Sequence, residues 1–269
     1  MTRSSHPVTP ERVWVRAPTK AYARCLRSHG GGDPDPRAAV VQHQGYVAAL
    51  HDAGIDVEVV PPAEPLPDAC FVEDGAVVLG DRVVMTRPGA QARRAELPSL
   101  ETALAGHLAV QHLEAPGTLD GGDVMRMGDR LFVGRSARTN DTGIEQLRAL
   151  ASEVGLEVVP VAVPDASLHL KSVCSALDDR RVVVDATALP PAVLSDLGLT
   201  VHEVPEPAGA NVLCFGDRVL VSADAPRTAA WLCAEGFTVV EVPLGEFHRG
   251  DGALSCLSLR LPPPGQWSV

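Results

Sequence analysis

Cys256 lies in Asp251-Gly-Ala-Leu-Ser-Cys-Leu-Ser-Leu, where a polar, glycine-containing turn leads into an apolar stretch. A thiol near the start of a strand is held rigidly and stays reachable from the turn, as a nucleophile requires. His169, in Ser167-Leu-His-Leu-Lys-Ser-Val, opens another such stretch and offers a general acid–base. Taken singly, a strand cysteine is more often core, and a lone histidine more often a satisfied structural residue. Asp120-Gly-Gly-Asp123 sets two glycines between two acids. The glycines let the backbone approach something closely; a cation is one reading of the acids, and a bare Asp-Gly turn is the other. In Phe71-Val-Glu73-Asp74-Gly two neighbouring carboxylates head an apolar run, with Asp68 just upstream. Carboxylates there are costly to bury unless something positive meets them.

The elements that must position these groups recur along the chain. A helix-like stretch ends at a glycine and runs into a valine-rich strand in Gly54–Pro61, Gly198–Pro205 and Gly236–Pro243, all of the form Gly-x-x-Val-x-x-Val-Pro. Gly155–Pro160 is a tighter copy and Gly106–Leu113 a degenerate one. Between the copies an apolar run, Gly-Asp-Arg and a second apolar run recur at Gly80–Arg82, Gly128–Arg130 and Gly216–Arg218, with Asp178–Arg180 as a variant. Gly-Asp suits the positive φ of a tight hairpin. A spacing of about 38–52 residues, used five times, means one supersecondary unit repeated. Each unit reads as strand, hairpin, strand, helix, strand. In the third, the helix begins near Thr142 with Glu145 as its capping box, buries Ile144, Leu147, Leu150 and Val154, and ends at Gly155. Val40, Val47 and Leu50 form the stripe of an earlier helix, and Asp224 caps a later one ahead of Pro226. The valine strands are apolar at nearly every residue, which predicts burial on both faces.

Five ββαβ units around an axis make an α/β propeller with each first strand lining a central channel, and the strand Leu254–Leu261 closes the ring beside an early one. This implies a single catalytic domain over 1–269, with flexible ends over about 1–10 and 262–269. Ser28–Pro36, dense in Gly and Pro, reads as an exposed mobile loop, either a linker or a lid.

Composition narrows the partners. A net charge of −11 opposes binding to nucleic acid or an anionic membrane and is compatible with a cationic ligand. No apolar run approaches a membrane span, and the first residues have no apolar secretory core. Six cysteines without paired spacing oppose a disulfide framework or a zinc site, which points to a reduced cytoplasmic protein in which five act as small buried hydrophobes.

On the repeat frame, Glu73–Asp74, Asp120–Asp123, His169 and Asp251–Cys256 each head the first strand of a unit. Four distant clusters then converge on one pocket as a nucleophile, a base and its orienting acid. Pro67-Asp-Ala-Cys-Phe-Val-Glu-Asp74, Met85–Ala90, Thr118–Val124, Val133–Asn140, Leu168–Ser172 and Asp251–Cys256, in this order over nearly the whole chain, resemble the dimethylarginine dimethylaminohydrolase family of the guanidine-modifying, or pentein, superfamily. The resemblance implies a five-bladed α/β propeller, Cys256 as nucleophile, His169 as acid–base and Asp120 orienting it. It further implies that Asp68, Glu73 and Asp74 hold a guanidinium beside Phe71, that Arg93 and Arg138 take the substrate's α-carboxylate, and that Leu26 and Gly250 edge the site. Gly250 stands where relatives often carry a bulkier residue. No metal or organic cofactor is implied, and the partner is a small cationic guanidine bound by a monomer or homodimer.

The expected reaction is hydrolysis of methylated arginine to citrulline through a covalent thiouronium on Cys256. Arginine deiminase, or another guanidine-modifying hydrolase or amidinotransferase, keeps the same residues and stands as the alternative. A Cys-His-Asp acyl hydrolase is disfavoured because an anionic intermediate would face Glu73 and Asp74. A non-enzymatic propeller would need no thiol, imidazole and acids together.

Overall fold

The five repeat units fold into five three-stranded sheets in the computed structural model, which describes residues 10, 12–28 and 32–261. The first sheet holds β1 (Arg12–Val15) and β2 (Asp56–Val59), the second β3 (Ala76–Leu79), β4 (Arg82–Met85) and β5 (Ala109–His112), and the third β6 (Val124–Met127), β7 (Arg130–Arg135) and β8 (Glu157–Ala162). The fourth holds β9 (Cys174–Ala176), β10 (Arg181–Val184) and β11 (Thr200–Glu203), and the fifth β12 (Leu213–Phe215), β13 (Arg218–Ser222) and β14 (Thr238–Val242). The strand β15 (Ser258–Leu261) pairs antiparallel with β1 and completes the first sheet. In every sheet an inner strand is antiparallel to a middle strand, and a helical crossover returns the chain parallel on the outer side. The fold is the five-bladed α/β propeller of the pentein type.

The core is divided into five clusters, each shared by consecutive blades, and the period of two along the middle strands explains this. On β1, Val13 and Val15 join the cluster with the fifth blade while Trp14 joins the one with the second. On β10, Val182 and Val184 face the third blade and Val183 the fifth. No blade owns a core of its own, so the repeats stabilise one another by stacking.

Local signals work largely as the sequence implies. Gly80, Gly128 and Gly216 have positive φ at the first position of two-residue hairpin loops, as a type II′ turn needs. In the fourth blade, Asp178 instead accepts from the Arg180 and Arg181 amides. The third-blade helix (Asp141–Ser152) buries Ile144 and Leu147, each contributing about 1.5–3 kcal/mol. Leu150 and Val154 are only partly buried beside them. The N-cap is Asn140, whose side chain accepts from the Gly143 amide, not the expected Thr142. Asp224 is likewise displaced as cap by Ala225. The first helix α1 (Pro36–Asp52) buries Ala39, His43, Tyr46, Ala49 and Leu50; an apolar stripe passes over its polar member, His43.

Two further expectations are corrected. The valine-rich outer strands β2, β5 and β11 are half-exposed, because each is paired on one side only and the helix covers one face; the middle strands are the buried ones. Among the cysteines, Cys233 is exposed and Cys214 partly so. The described residues flanking the centre of the loop after Leu26 make tertiary bonds: Ser28 Oγ donates to Asp251 at 2.8 Å, and the Asp35 amide to Glu246 at 2.7 Å. Its centre, residues 29–31, lies outside the described residues, as do the ends expected to be flexible, apart from buried Pro10.

Candidate active site

A short helical turn leads into each inner strand. These are Val72–Gly75, Gly121–Asp123, Leu170–Val173, Pro207–Ala210 and Ser255–Leu257. Cys256 and His169 therefore sit in or just before a turn rather than in the first residues of a strand. Successive side chains of a helical turn diverge by about 100°, so neighbours such as Glu73 and Asp74 face different surroundings.

His169 is fully enclosed between two acids. Its Nε2 donates to Asp120 Oδ2 at 3.0 Å, while Nδ1 lies 3.8 Å from Asp74 Oδ1. Asp120 also accepts from the Gly89 amide at 2.8 Å, and Arg138 approaches it at 3.6 Å. Burial alone would lower the imidazole pKa, but the Asp74 charge and the Asp120 hydrogen bond outweigh it and raise the value to about 9. Burial would likewise raise the Asp120 carboxyl, yet the bond to His169 holds it below the usual range. The pair is an imidazolium–carboxylate, leaving Nδ1–H as the proton to give.

The glycines of Asp120-Gly-Gly-Asp123 do what close approach requires. The Gly122 amide donates to Asp74 Oδ1 at 2.9 Å, and a β-carbon on Gly121 would run into the Glu73 carbonyl. Asp123 is engaged by protein donors: it accepts from the Leu170 amide and from the hydroxyls of Ser136 and Thr139, bracing the turn beneath His169.

A cavity of about 180 Å³ opens where these turns meet, a size suited to one amino-acid-sized ligand. Asp68, Phe71, Asp74 and Arg93 line one part, Arg138 and His169 another, and Gly250–Gly252 with Cys256 a third. Leu26, 41% exposed, lies at the rim, where its amide donates to Asp68 Oδ1 at 3.0 Å. Burial raises the Asp68 carboxyl, opposed by Arg93. Arg93 is heavily engaged by protein groups: it pairs with Asp74 and Glu96 and donates to the Asp68 and Phe71 carbonyls. Burial, then the charges of Glu73 and Asp74, push the Cys256 thiol up to about 12. The site at rest therefore holds a neutral thiol and an imidazolium on the lining of one cavity, in an acidic surround.

Asp74, Asp120 and His169 also bring possible metal ligands within 4.8 Å of one another. The two ring nitrogens face different acids and Arg93 already meets Asp74, so a protonated imidazole fits this cluster better than a dication.

A family model described as arginine deiminase matches residues 62–202. The dimethylarginine dimethylaminohydrolase of Streptomyces coelicolor is 40% identical over 259 residues, covering 93% of this chain and 97% of that protein. The chain belongs to the dimethylarginine dimethylaminohydrolase family. The dimethylarginine dimethylaminohydrolase of Pseudomonas aeruginosa is 32% identical over 252 residues, covering 93% of this chain and 99% of its own. A cysteine-to-serine mutant of the Pseudomonas enzyme, complexed with citrulline, superposes with a TM-score of 0.87 over 94% of this chain.

Of the residues expected to serve a dimethylarginine dimethylaminohydrolase site, nine line the cavity: Leu26, Asp68, Phe71, Asp74, Arg93, Arg138, His169, Gly250 and Cys256. Asp120 stands behind His169. Glu73 departs from expectation. It is 1% exposed and does not line the cavity; its carboxylate accepts from Lys171 Nζ at 2.5 Å and from Ser255 Oγ at 2.9 Å, and pairs with Arg260. A side chain committed to two cations is not placed to hold a third. At Gly250 a β-carbon would meet the Tyr22 hydroxyl, so Tyr22 fills the space that a bulkier residue would occupy. Arg27, Ser28, Asp251 and Gly252 also line the cavity without having been assigned a role there, and Asp251 takes a positive φ of 57°, a backbone region that non-glycine residues seldom adopt.

Proposed function

We propose that the chain hydrolyses Nω-methylated arginine, either asymmetric dimethylarginine or monomethylarginine, to citrulline and dimethylamine or methylamine. The observation that carries this reading is a single cavity lined by Cys256, His169 and the buried acids Asp68 and Asp74, with Asp120 hydrogen-bonded to His169 from behind. A guanidinium entering beside Asp74 and Asp68 is fixed by charge-assisted hydrogen bonds near the thiol. Its positive charge offsets the acids that hold Cys256 neutral, so the thiol gives its proton to solvent as substrate enters and thiolate forms. The Cys256 sulfur attacks the guanidinium carbon, and the Nδ1 proton of His169 passes to the departing amine, whose C–N bond breaks. A covalent S-alkylthiouronium remains. Neutral His169 then takes a proton from water as the oxygen attacks the same carbon; the C–S bond breaks, the proton left on that oxygen passes to the departing sulfur to restore the thiol, and citrulline leaves.

Arg138 takes the substrate's α-carboxylate, with Arg93 contributing from behind Asp74, while Phe71, Leu26 and Gly250 bound the side chain. No cofactor enters these steps. The whole chain serves as one catalytic unit, acting as a monomer or homodimer in the cytoplasm; cysteines without paired spacing and half-exposed outer strands support this reading. Among the described residues no helix is long and apolar enough to cross a membrane.

Citrulline formation measured across arginine, monomethylarginine and asymmetric dimethylarginine tests the reading, with Cys256→Ser expected to abolish it. Arginine deimination is a second reading, favoured by the family model over residues 62–202. Faster turnover of arginine than of the dimethylated compound would establish it and overturn the first.

A further inference from the structure

The fifth blade adds nothing to the lining of the cavity, yet its helical turn ends on a buried asparagine, Asn211, 3% exposed. The amide of this residue makes three hydrogen bonds to two other turns. Its Oδ1 accepts from the Ser255 amide at 3.0 Å, and its Nδ2 donates to the Lys171 carbonyl at 2.6 Å and to Ser255 Oγ at 2.9 Å. Lys171 lies two residues past His169, and Ser255 immediately precedes Cys256. Ser255 Oγ in turn donates to Glu73, which accepts from Lys171 Nζ. The bonds close a ring, Asn211–Lys171–Glu73–Ser255, with one member from each of four blades.

We propose that Asn211 is the positioning residue that sets the turn bearing Cys256 against the turn bearing His169, through its bonds to Ser255 and Lys171. The inference rests on the hydrolytic reading above for its kinetic readout but not for its chemical one. The position calls for asparagine by chemistry: both N–H donors and the carbonyl oxygen are used, all in a site closed to water. Aspartate has the same shape but no donor, and adds an anion close to Glu73. The Ser255 carbonyl also accepts from Arg260 on the following strand, and Glu73 links Ser255 Oγ to Lys171 Nζ, but among the described residues Asn211 is the side chain that bonds the backbone of both turns. Among the described residues Asn211 bonds no group that lines the cavity and reaches Cys256 and His169 through Ser255 and Lys171, so its removal should disturb alignment rather than substrate affinity.

The test compares wild type, Asn211→Ala and the isosteric Asn211→Asp. One readout is kcat and KM for dimethylarginine; the other is the rate of Cys256 alkylation by iodoacetamide against pH, which needs no substrate turnover. A misplacement of about 1 Å can cost about 100-fold in rate, so kcat should fall about 10- to 100-fold with KM within about threefold. The pH profile of alkylation should shift in both variants, and Ser255→Ala combined with Asn211→Ala should lose little beyond the larger single effect. Folded Asn211→Asp with wild-type kcat and alkylation profile overturns the proposal, as does a rise in KM at constant kcat. If Asn211→Ala does not fold, Asn211→Asp decides alone. If wild type makes no citrulline, the hydrolytic reading fails by itself, and the alkylation profiles still decide for or against Asn211.

Discussion

Gly122 lies against His169 so closely that a β-carbon on it would stand 2.6 Å from the imidazole Nδ1 and 2.7 Å from Asp74 Oδ1. The glycine is required by what faces it rather than by its own backbone, whose φ is not positive. Gly122→Ala is expected to displace the ring or the carboxylate and lower kcat/KM by about 100-fold, the scale of a misplaced catalytic group. Steady-state kinetics beside a thermal melt separate this from unfolding; wild-type kinetics in the alanine variant would refute the role given to the close approach.

The His169–Asp120 pair makes stability depend on pH in a definite direction. The folded pKa of His169, about 9, lies above its ordinary value of 6.5. A raised pKa gives stabilisation that is fully present below about 6.5 and lost as pH rises through about 9. The difference in unfolding free energy between wild type and His169→Asn should therefore shrink by on the order of 1–3 kcal/mol from pH 6 to pH 9.5. Denaturant titrations at the two pH values check this. Asp120→Asn should lower the imidazole pKa and move the alkaline limb of kcat to lower pH.

Glu73 and Asp74 are adjacent but should fail differently. Glu73→Gln weakens a buried pairing with Lys171 and Arg260, for which losses of about 3–5 kcal/mol are typical when one partner is removed. It should lower Tm while leaving KM near that of wild type. Asp74→Asn faces the cavity and should raise KM sharply. Equal KM changes in the two variants would restore the guanidinium-binding role to Glu73.

This pair marks the limit of what could be read from residue order. Repeat spacing is a local property, since each blade carries its own glycine, hairpin and valine strand, so the ring and the convergence of Cys256, His169, Asp68 and Asp74 are legible. Two adjacent acids also look like one site when no turn geometry is known. A helical turn separates them, sending Asp74 to the cavity and Glu73 to cations at positions 171 and 260. Asn211 gives no local signal, because its partners lie 40 and 44 residues away and its own segment carries no other reactive group. His43, buried on an otherwise apolar helix face, was hidden for the opposite reason: a stripe counts only apolar letters.

Arg138 and Arg93 should also separate. Arg138 meets Asp120 only at 3.6 Å and keeps a partly exposed side chain, whereas Arg93 is held by two carboxylates and two carbonyls. Arg138→Ala should raise KM about 10-fold or more for substrates with an α-carboxylate, the scale of one lost charge-assisted pair. It should matter little for a guanidine lacking that group. Arg93→Ala should instead reduce Tm and activity together, and kinetics on the two substrate types, with melts, check both outcomes.

The antiparallel pairing of β15 with β1 has a consequence for when the protein can first work. The turn presenting the thiol is the lead-in to the strand that joins late sequence to early sequence. A growing polypeptide can assemble its second, third, fourth and fifth blades while the first still lacks its inner strand, and throughout that interval the sulfur has no fixed address. Chemical competence thus arrives in the same event as topological completion, and a molecule whose last strand has peeled away is disarmed before it is unfolded.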